Sequence, residues 1–162
     1  MPEIAYMKIV GAEQYKALAK RLKAAGRGDL QRKLTREIRK VGQPALRATK
    51  SAWMGVEVTS TRGGGKSSGL RGRVAAATRI SILGSGIRIR VEPKQVDPAY
   101  GKSLSFGLDG LGRWRHPVYG NPLVWTQQQG QEVFYKTLTA YEPKFREGVV
   151  QAMEETAREI EG

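Results

Sequence analysis

Residues 106–125 constrain the fold more than any other part of this sequence. They read FGLDGLGRWRHPVYGNPLVW, with three glycine-delimited bends and two prolines. Neither the 3.6-residue period of a helix nor the two-residue alternation of a strand persists along them, so we predict a long irregular loop. Nine of the twelve aromatic residues lie between Tyr100 and Phe145. A loop this apolar needs a surface to cover its rings, either the domain core or another subunit.

The N-terminal third of the chain predicts two amphipathic helices. Apolar residues recur at helical spacing over residues 11–25 and again over residues 30–53. Pro44 is expected to kink the second helix, because proline lacks a backbone N–H and clashes with the preceding turn. The outer face of this second helix is basic, with Arg32, Lys33, Arg36, Arg39, Lys40, Arg47 and Lys50. That face is either a solvated surface or a contact for a polyanion.

A flexible basic loop is predicted over residues 61–73. From Arg62 to Arg73 the chain has four cations, no acids and five glycines, too little apolar surface to order itself. The loop is either a flexible surface loop or a basic segment that contacts phosphates without recognising the base sequence. The four cations are Arg62, Lys66, Arg71 and Arg73. The glycine spacing before Lys66 does not fit a phosphate-binding P-loop.

The remaining pattern predicts a small antiparallel sheet and a C-terminal helix. Residues 75–83 and 87–91 alternate apolar and polar side chains around a Gly-Ser-Gly turn, and residues 102–106 suggest a third short strand. Residues 133–141 are predicted to be partly helical, and Pro143 fits the first turn of a final, acidic helix. The predicted fold is therefore α+β, one domain over residues 1–162. It contains two N-terminal helices, a small antiparallel sheet with a long irregular loop, and a C-terminal helix.

The positive charge is confined to the first half of the chain. Residues 1–80 contain 18 Lys/Arg and 5 Asp/Glu, whereas residues 81–162 contain 10 of each, so the net charge of +13 lies before residue 81. Such asymmetry suggests contact with a polyanion or with an acidic protein face. The absence of cysteine, of a signal-peptide pattern and of an apolar run near ~20 residues indicates a soluble protein made in a reducing cytoplasm.

The sequence contains no recognisable catalytic, metal or cofactor constellation. His116 is the only histidine, and neither Asp97 nor Asp109 stands at a metal-ligand spacing from it. There is no nucleophile-elbow motif and no dinucleotide fingerprint. We therefore predict no enzyme activity, no cofactor and no metal, with His116 as a hydrogen-bonded loop residue. The Arg-Trp-Arg cluster around Trp114 is either a stacking site for a base or, more commonly, an interface or structural anchor.

The segment RWRHPVYGN of residues 113–121, followed by Trp125 and Gln127, resembles one segment of a viral protein family. The family is that of head–tail joining proteins of long-tailed double-stranded DNA bacteriophages, also called neck, tail-completion or minor tail proteins. The match is to the (R)HPVFGN…W…Q segment of members from phages and prophages of actinobacteria. Residues 68–71, SGLR, stand where the family often has TG-x-LR. The sequence departs from the family at residues 103–107, where the usual glutamate is missing.

This resemblance implies a structural virion protein with a small α+β fold and no catalytic activity. A ring of six copies would join the head connector to the tail terminator or tail tube and surround genomic DNA in its lumen. The protein would be made in the host cytoplasm and would contact no membrane. Four cations would face the DNA channel: Arg62, Lys66, Arg71 and Arg73. Six residues would form an interface or structural loop: Phe106, Trp114, Arg115, His116, Tyr119 and Trp125.

Two other function classes remain open on the sequence. A sequence-nonspecific nucleic-acid-binding protein accounts for the charge, although no signature of a standard nucleic-acid-binding fold is present. Salt-dependent DNA binding by the isolated monomer would favour this class. A nuclease or hydrolase would need clustered carboxylates or a paired histidine, which the sequence lacks. Activity that depends on a divalent metal would indicate that class instead.

Overall fold

The structure of this protein is a computed structural model that describes residues 12–57, 69–83, 86–118 and 121–161. These ranges contain six helices and two pairs of antiparallel strands, which confirms the α+β class. In chain order the elements are α1 (Ala12–Ala24), α2 (Gly28–Met54), α3 (Leu70–Ala77), β1 (Thr78–Leu83), β2 (Gly86–Val91), α4 (Pro93–Val96), α5 (Gly101–Asp109), β3 (Arg113–Val118), β4 (Asn121–Gln129) and α6 (Val133–Glu161).

The two long helices, α2 and α6, pack side by side and run in opposite directions. Lys33 near the start of α2 pairs with Glu159 near the end of α6. In the middle, a Cβ on Gly42 would approach the Phe145 ring to 2.9 Å, and a Cβ on Gly148 would meet the side chain of Val41. A glycine on each helix therefore allows close approach of the two backbones. The acidic final helix thus packs beside the basic second helix within one subunit.

The final helix is longer than the sequence predicts. The sequence predicts partial helix over residues 133–141 and then a final helix with Pro143 in its first turn, but α6 runs as one helix from Val133 to Glu161, so the placement of Pro143 in a first turn is wrong. The reason is that Phe134 and Leu138, one turn apart, are both buried and extend the apolar stripe of the helix. Burying each side chain stabilises by roughly 1.5–3 kcal/mol, which together offsets the ~3 kcal/mol cost of an interior proline. α2 likewise continues through Pro44.

Two clusters of buried side chains make up the core. One surrounds Trp53 and Phe134, where the end of α2 meets α3, β2, α5 and the start of α6. The other surrounds Leu34 and Phe145, between α1, α2 and α6. Ile80 on β1 packs against both clusters. The predicted pairing of β1 with β2 is confirmed, with Ile80 opposite Ile89, and this hairpin links the two halves of the core. Residues 75–77, predicted as the start of the first strand, belong to α3 instead.

Residues 106–125 do not form the predicted irregular loop. They contain the end of α5, a bend, strand β3 and part of β4, which pairs with β3 in antiparallel register. The predicted strand over residues 102–106 is also wrong, because Leu104 and Leu108, one helical turn apart, are buried on α5. The hairpin gives no apolar alternation in the sequence because its inward-facing residues include His116, Thr126 and Gln128.

From Leu70 onward, the segment predicted as a flexible loop over residues 61–73 is helical. Arg71 and Arg73 belong to α3, which forms because Leu70 and Val74, one turn apart, are both buried. The Arg71 guanidinium donates from Nη1 to the carbonyl oxygens of Met54, at 3.2 Å, and Val56, at 2.7 Å. These two arginines are therefore not part of a flexible loop. Arg62 and Lys66 lie outside the described residues.

Candidate functional site

The β3–β4 hairpin has a polar inner face and an exposed outer face. His116 lies opposite Thr126 in the register, and both side chains are buried. The neighbouring pairs, Arg115 with Gln127 and Pro117 with Trp125, point to the other side because side chains alternate along a strand. Arg115 and Trp125 are exposed on that outer face. The alternation is regular from Arg113 to Pro117, before the register shifts at Val118, but it places polar groups inside and a tryptophan outside.

Two glycines allow the hairpin to lie directly on α5. A Cβ on Gly107 would collide with the indole ring of Trp114, so this ring rests on the bare backbone of α5. A Cβ on Gly130 would collide with the carbonyl oxygens of Gly107 and Gly110. Gly130 also donates its N–H to the Gly112 carbonyl oxygen at 3.0 Å, which closes the base of the hairpin. Close approach, rather than an unusual backbone conformation, requires glycine at both positions.

His116 binds the two strands of the hairpin to each other. Its Nδ1 lies 3.0 Å from the Pro117 carbonyl oxygen, which can only accept, so Nδ1 carries a proton. Its Nε2 lies 3.1 Å from the side-chain amide of Gln128 on the opposite strand. The ring also stacks on Trp114, with centroids 4.7 Å apart. Both ring nitrogens are therefore engaged within the domain, and the side chain is only 6% exposed.

Large apolar side chains are exposed on the outer face of the hairpin and on α5. Leu123 is 90% exposed and Trp125 is 40% exposed, and the edge of the Trp125 ring meets Tyr100 at a centroid distance of 6.3 Å. Phe106 and Leu111 are also exposed, on α5 and at the bend that follows it. Single exposed apolar residues are ordinary, but a group of them on neighbouring elements is typical of a contact surface.

The predicted interface residues divide between the inside and the outside of the domain. Trp114 packs against α5 and His116 bonds to the opposite strand, so both stabilise the hairpin within the domain. Phe106, Arg115 and Trp125 are exposed and remain available to a partner. The sixth residue, Tyr119, lies outside the described residues.

A pocket of about 250 Å³ lies on the side of α5 that carries residues 102, 105, 106 and 109. Its apolar walls include Trp53 from α2, Val91 from β2 and Phe134 from α6. The rings of Trp53 and Phe134 are in contact, with centroids 5.8 Å apart. The Trp53 indole N–H is buried and has no hydrogen-bond partner among the described residues. Phe106 and Leu111 add an exposed apolar edge to the pocket, and three charged side chains also line it: Lys102, Asp109 and Glu132.

Asp109, at the end of α5, caps the start of α6. Its Oδ1 accepts a hydrogen bond from the Phe134 backbone N–H at 2.6 Å, and the α6 N-terminus has unpaired N–H groups to satisfy. Burial raises the pKa of Asp109 from 3.8 to about 6, while backbone hydrogen bonds from Phe134 and Tyr135 oppose that shift. This carboxylate therefore fixes the pocket wall where α5 and α6 meet. It is a structural cap, which the sequence pattern did not identify.

The Asp109 carboxyl is expected to make the stability of the fold depend on pH between about pH 4 and pH 6. Its pKa in the folded state, about 6, lies above its ordinary value of 3.8. The stabilising contribution is therefore fully present below the ordinary value and is lost as pH rises through about 6. A fully buried group with this shift would contribute about 3 kcal/mol, and we expect about 1–2 kcal/mol for this half-buried side chain.

Urea denaturation of the wild type and of Asp109→Asn across this pH range measures the effect. Asparagine does not titrate, yet its side-chain oxygen can still accept from the Phe134 N–H. The wild type is expected to lose stability relative to Asp109→Asn as the pH rises. A difference between the two proteins that stays constant with pH would contradict the assignment.

The outer face of α2 is a line of exposed cations. Arg32, Arg36, Arg39 and Arg47 are exposed, and the 15-residue span from first to last corresponds to about 22 Å of helix. None of the four forms a direct ion pair with another described residue. In contrast, Lys33 pairs with Glu159 and Lys40 with Glu37. The basic face predicted from the sequence is therefore exposed and largely uncompensated.

Several site types are absent from the described part of the chain. No group of three or more His, Asp or Glu side chains there could hold a metal ion. None of the described helices is both long enough and apolar enough to span a bilayer. Comparisons with protein-family models, with curated proteins and with solved structures find no match to this sequence. The hairpin, the pocket and the basic face are the surface features of the described residues that suit binding.

Proposed function

We propose that this chain is a structural virion protein that forms a ring of six copies at the head–tail junction of a long-tailed DNA bacteriophage. The ring joins the head connector to the tail terminator or tail tube. It surrounds the genomic DNA and contacts it without reading its sequence. The protein acts as an assembly component and carries out no reaction.

The exposed outer face of the β3–β4 hairpin is the observation that supports this proposal best. Within the segment that resembles the joining proteins, Arg113–Val118 form β3 and Asn121 begins β4. On the same hairpin, Leu123 and Trp125 expose apolar surface, while Trp114 and His116 hold the hairpin rigidly on α5. A rigid hairpin with an apolar outer face is suited to a subunit contact, since interface centres are enriched in aromatic side chains.

The distribution of cations also supports a ring around DNA. The exposed arginines of α2 form a sequence-blind surface of the type that contacts phosphates. Arg62 and Lys66 remain candidates for the channel surface. Arg71 binds backbone carbonyl oxygens, and Arg73 lies 3.9 Å from the Asp97 carboxylate, so neither extends into a channel from a mobile arm.

Imaging of the intact particle by cryo-electron microscopy tests the proposal. We expect six copies of the chain in a ring between the portal complex and the tail tube. Antibody labelling of the same particles gives an independent position. A particle that lacks the chain would contradict the joining function, whatever the purified chain does in solution.

A second candidate function is sequence-nonspecific binding of nucleic acid by the free protein. The unpaired arginines along about 22 Å of α2 favour it. Binding of unrelated DNA duplexes is then expected to weaken steeply with salt, and each of Arg32→Gln and Arg36→Gln should lower the salt slope by about 1. Arg146→Gln is the matched control, because Arg146 is paired with Glu142 on α6. Equal effects of all three variants would exclude α2 as the binding surface.

A further inference from the structure

The pocket beside α5 has the size and chemistry of a receptor for an apolar side chain. Its volume of about 250 Å³ is larger than the roughly 150 Å³ that accommodates benzene in an engineered protein cavity. It is slightly smaller than the roughly 300–1,000 Å³ typical of pockets for drug-sized ligands. A side chain of leucine or tryptophan size therefore fits it better than a large cofactor does. The exposed edge formed by Phe106 and Leu111 would be covered by the same contact.

The β3–β4 hairpin carries side chains of this kind. Leu123 is 90% exposed, and Trp125, two residues further along the same strand, is 40% exposed. Residues 113–129 include two arginines, Arg113 and Arg115, and no acidic residue. The pocket is lined by two acids, Asp109 and Glu132, and by one lysine. The hairpin and the pocket are therefore complementary both in apolar surface and in charge.

The hairpin does not reach the pocket of its own chain. Six residues separate Leu123 from Gln129 at the base of the hairpin, which is about 20 Å of extended strand. Gly110 and Leu111, which line one end of the pocket, lie at that base, where the Gln129 side chain donates to the Leu111 carbonyl oxygen. The hairpin packs on α5 through Gly107, whereas the pocket is lined by residues 102, 105, 106 and 109 of that helix. The two surfaces therefore lie at different places on the same molecule.

The geometry points to a second copy of this chain as the occupant of the pocket, with Leu123 and Trp125 of one copy covering the pocket of the next. The contact is head-to-tail, because each copy offers its hairpin to one neighbour and its pocket to another. Head-to-tail contacts close into a ring when the rotation between copies allows it. This inference rests on the proposed ring and names the surfaces that would build it. Arg115 of the hairpin would then lie near Glu132 at the pocket.

Cysteine crosslinking of the full chain tests this contact. The protein has no cysteine, so Leu123→Cys and Leu111→Cys introduce the only thiols. A disulfide requires Cβ atoms about 3.5–4.5 Å apart, far less than the hairpin length that separates the two positions in one chain. Under mild oxidation, the double variant should give a ladder of covalent oligomers. An equimolar mixture of the two single variants should give mixed dimers that join Leu123→Cys to Leu111→Cys.

Three results of this experiment would overturn the inference. An intrachain disulfide would show that the hairpin reaches its own pocket. Disulfide dimers of Leu123→Cys alone, without mixed dimers, would show a symmetric contact between hairpins. A chain that sediments as a monomer at every concentration and forms no crosslink would show that neither surface binds a second copy.

Two charge variants check the same contact without crosslinking. Leu123→Asp and Leu111→Asp should each weaken self-association roughly tenfold or more in sedimentation experiments, as expected for residues at the centre of an interface. Both positions are highly exposed, so folding should be retained. Val150→Asp is the matched control, since Val150 is also exposed but lies on α6. Weakening by Val150→Asp alone would overturn the inference.

Crosslinking and particle imaging separate this inference from the proposed function. A ring at the junction whose double variant forms no ladder would retain the function and exclude the hairpin–pocket contact. A ladder from a chain that is absent from the particle would retain the hairpin–pocket contact and exclude the function at the head–tail junction.

Discussion

Gly107→Ala is expected to lower the free energy of unfolding by about 2–3 kcal/mol, near the upper end of the range for overpacking. The added methyl group would collide with the indole ring of Trp114, which is held between α5 and the ring of His116. Trp114 cannot move outward without losing this stacking and its other contacts on the inner face of the hairpin. Urea denaturation monitored by tryptophan fluorescence measures the loss.

Gly72→Ala is the matched control for this substitution. Gly72 lies inside α3, and a Cβ at this position would meet nothing within 4 Å. Alanine should therefore stabilise the protein by roughly 0.5–1 kcal/mol, since it favours a helix over glycine. The double variant Gly107→Ala, Trp114→Leu should recover part of the Gly107→Ala loss. If that double variant is no better than the sum of the single changes, the collision with Trp114 is not the cause.

Trp53→Ala is expected to have the largest effect on stability, a loss of about 3–5 kcal/mol. Trp53 is 1% exposed and packs against Phe134 where α2, α5 and α6 meet. Trp53→Phe should lose much less, because the indole N–H has no hydrogen-bond partner among the described residues and contributes no bond to the fold. Thermal and urea unfolding of both variants measures the two losses. Equal losses would contradict this expectation, because phenylalanine keeps much of the aromatic packing that alanine removes.

Trp125→Ala tests whether a largely exposed tryptophan contributes to the stability of the domain. Trp125 is 40% exposed, so its removal should change the free energy of unfolding by less than about 1 kcal/mol. Its main effect should be on self-association. A large loss of monomer stability would show that Trp125 belongs to the core of the domain rather than to a contact surface.

The two N-terminal helices, α1 and α2, were predictable because their apolar residues keep a clear period. Leu30, Leu34 and Ile38 recur at helical spacing and are all buried on α2. The alternation of Ile80 and Ile82, followed by Ile89 and Val91, likewise predicts the β1–β2 hairpin. In both cases the inward-facing residues are apolar, so the sequence pattern and the buried face coincide.

The β3–β4 hairpin was not predictable by the same rule, because its buried residues are polar. His116, Thr126 and Gln128 face inward and satisfy each other or nearby groups, which no apolar period reveals. The close approach through Gly107 is equally hidden, since a sequence shows a glycine but not the ring that rests on it. Tertiary contacts, rather than local preference, determine this part of the fold.

The candidate site was predictable in its location but not in its construction. The concentration of aromatic residues marks the segment that forms the hairpin, and Phe106 and Trp125 are exposed there. The pocket could not be foreseen, because Trp53 and Phe134 come from distant parts of the chain. One signal was available for Asp109: residues 130–132 before α6 include no Ser, Thr, Asp or Asn, so its cap had to come from elsewhere.

The antiparallel pair of α2 and α6 affects how the newly synthesised chain folds. The last residue of α6 follows the last residue of α2 by 107 positions (161 − 54). At the roughly 5–20 residues per second of ribosomal synthesis, that separation corresponds to about 5–20 s. During this time the apolar stripe around Leu34 and Ile38 lacks the helix that covers it. The nascent chain must therefore keep this stripe from aggregating until α6 leaves the ribosome, and only then can the core close.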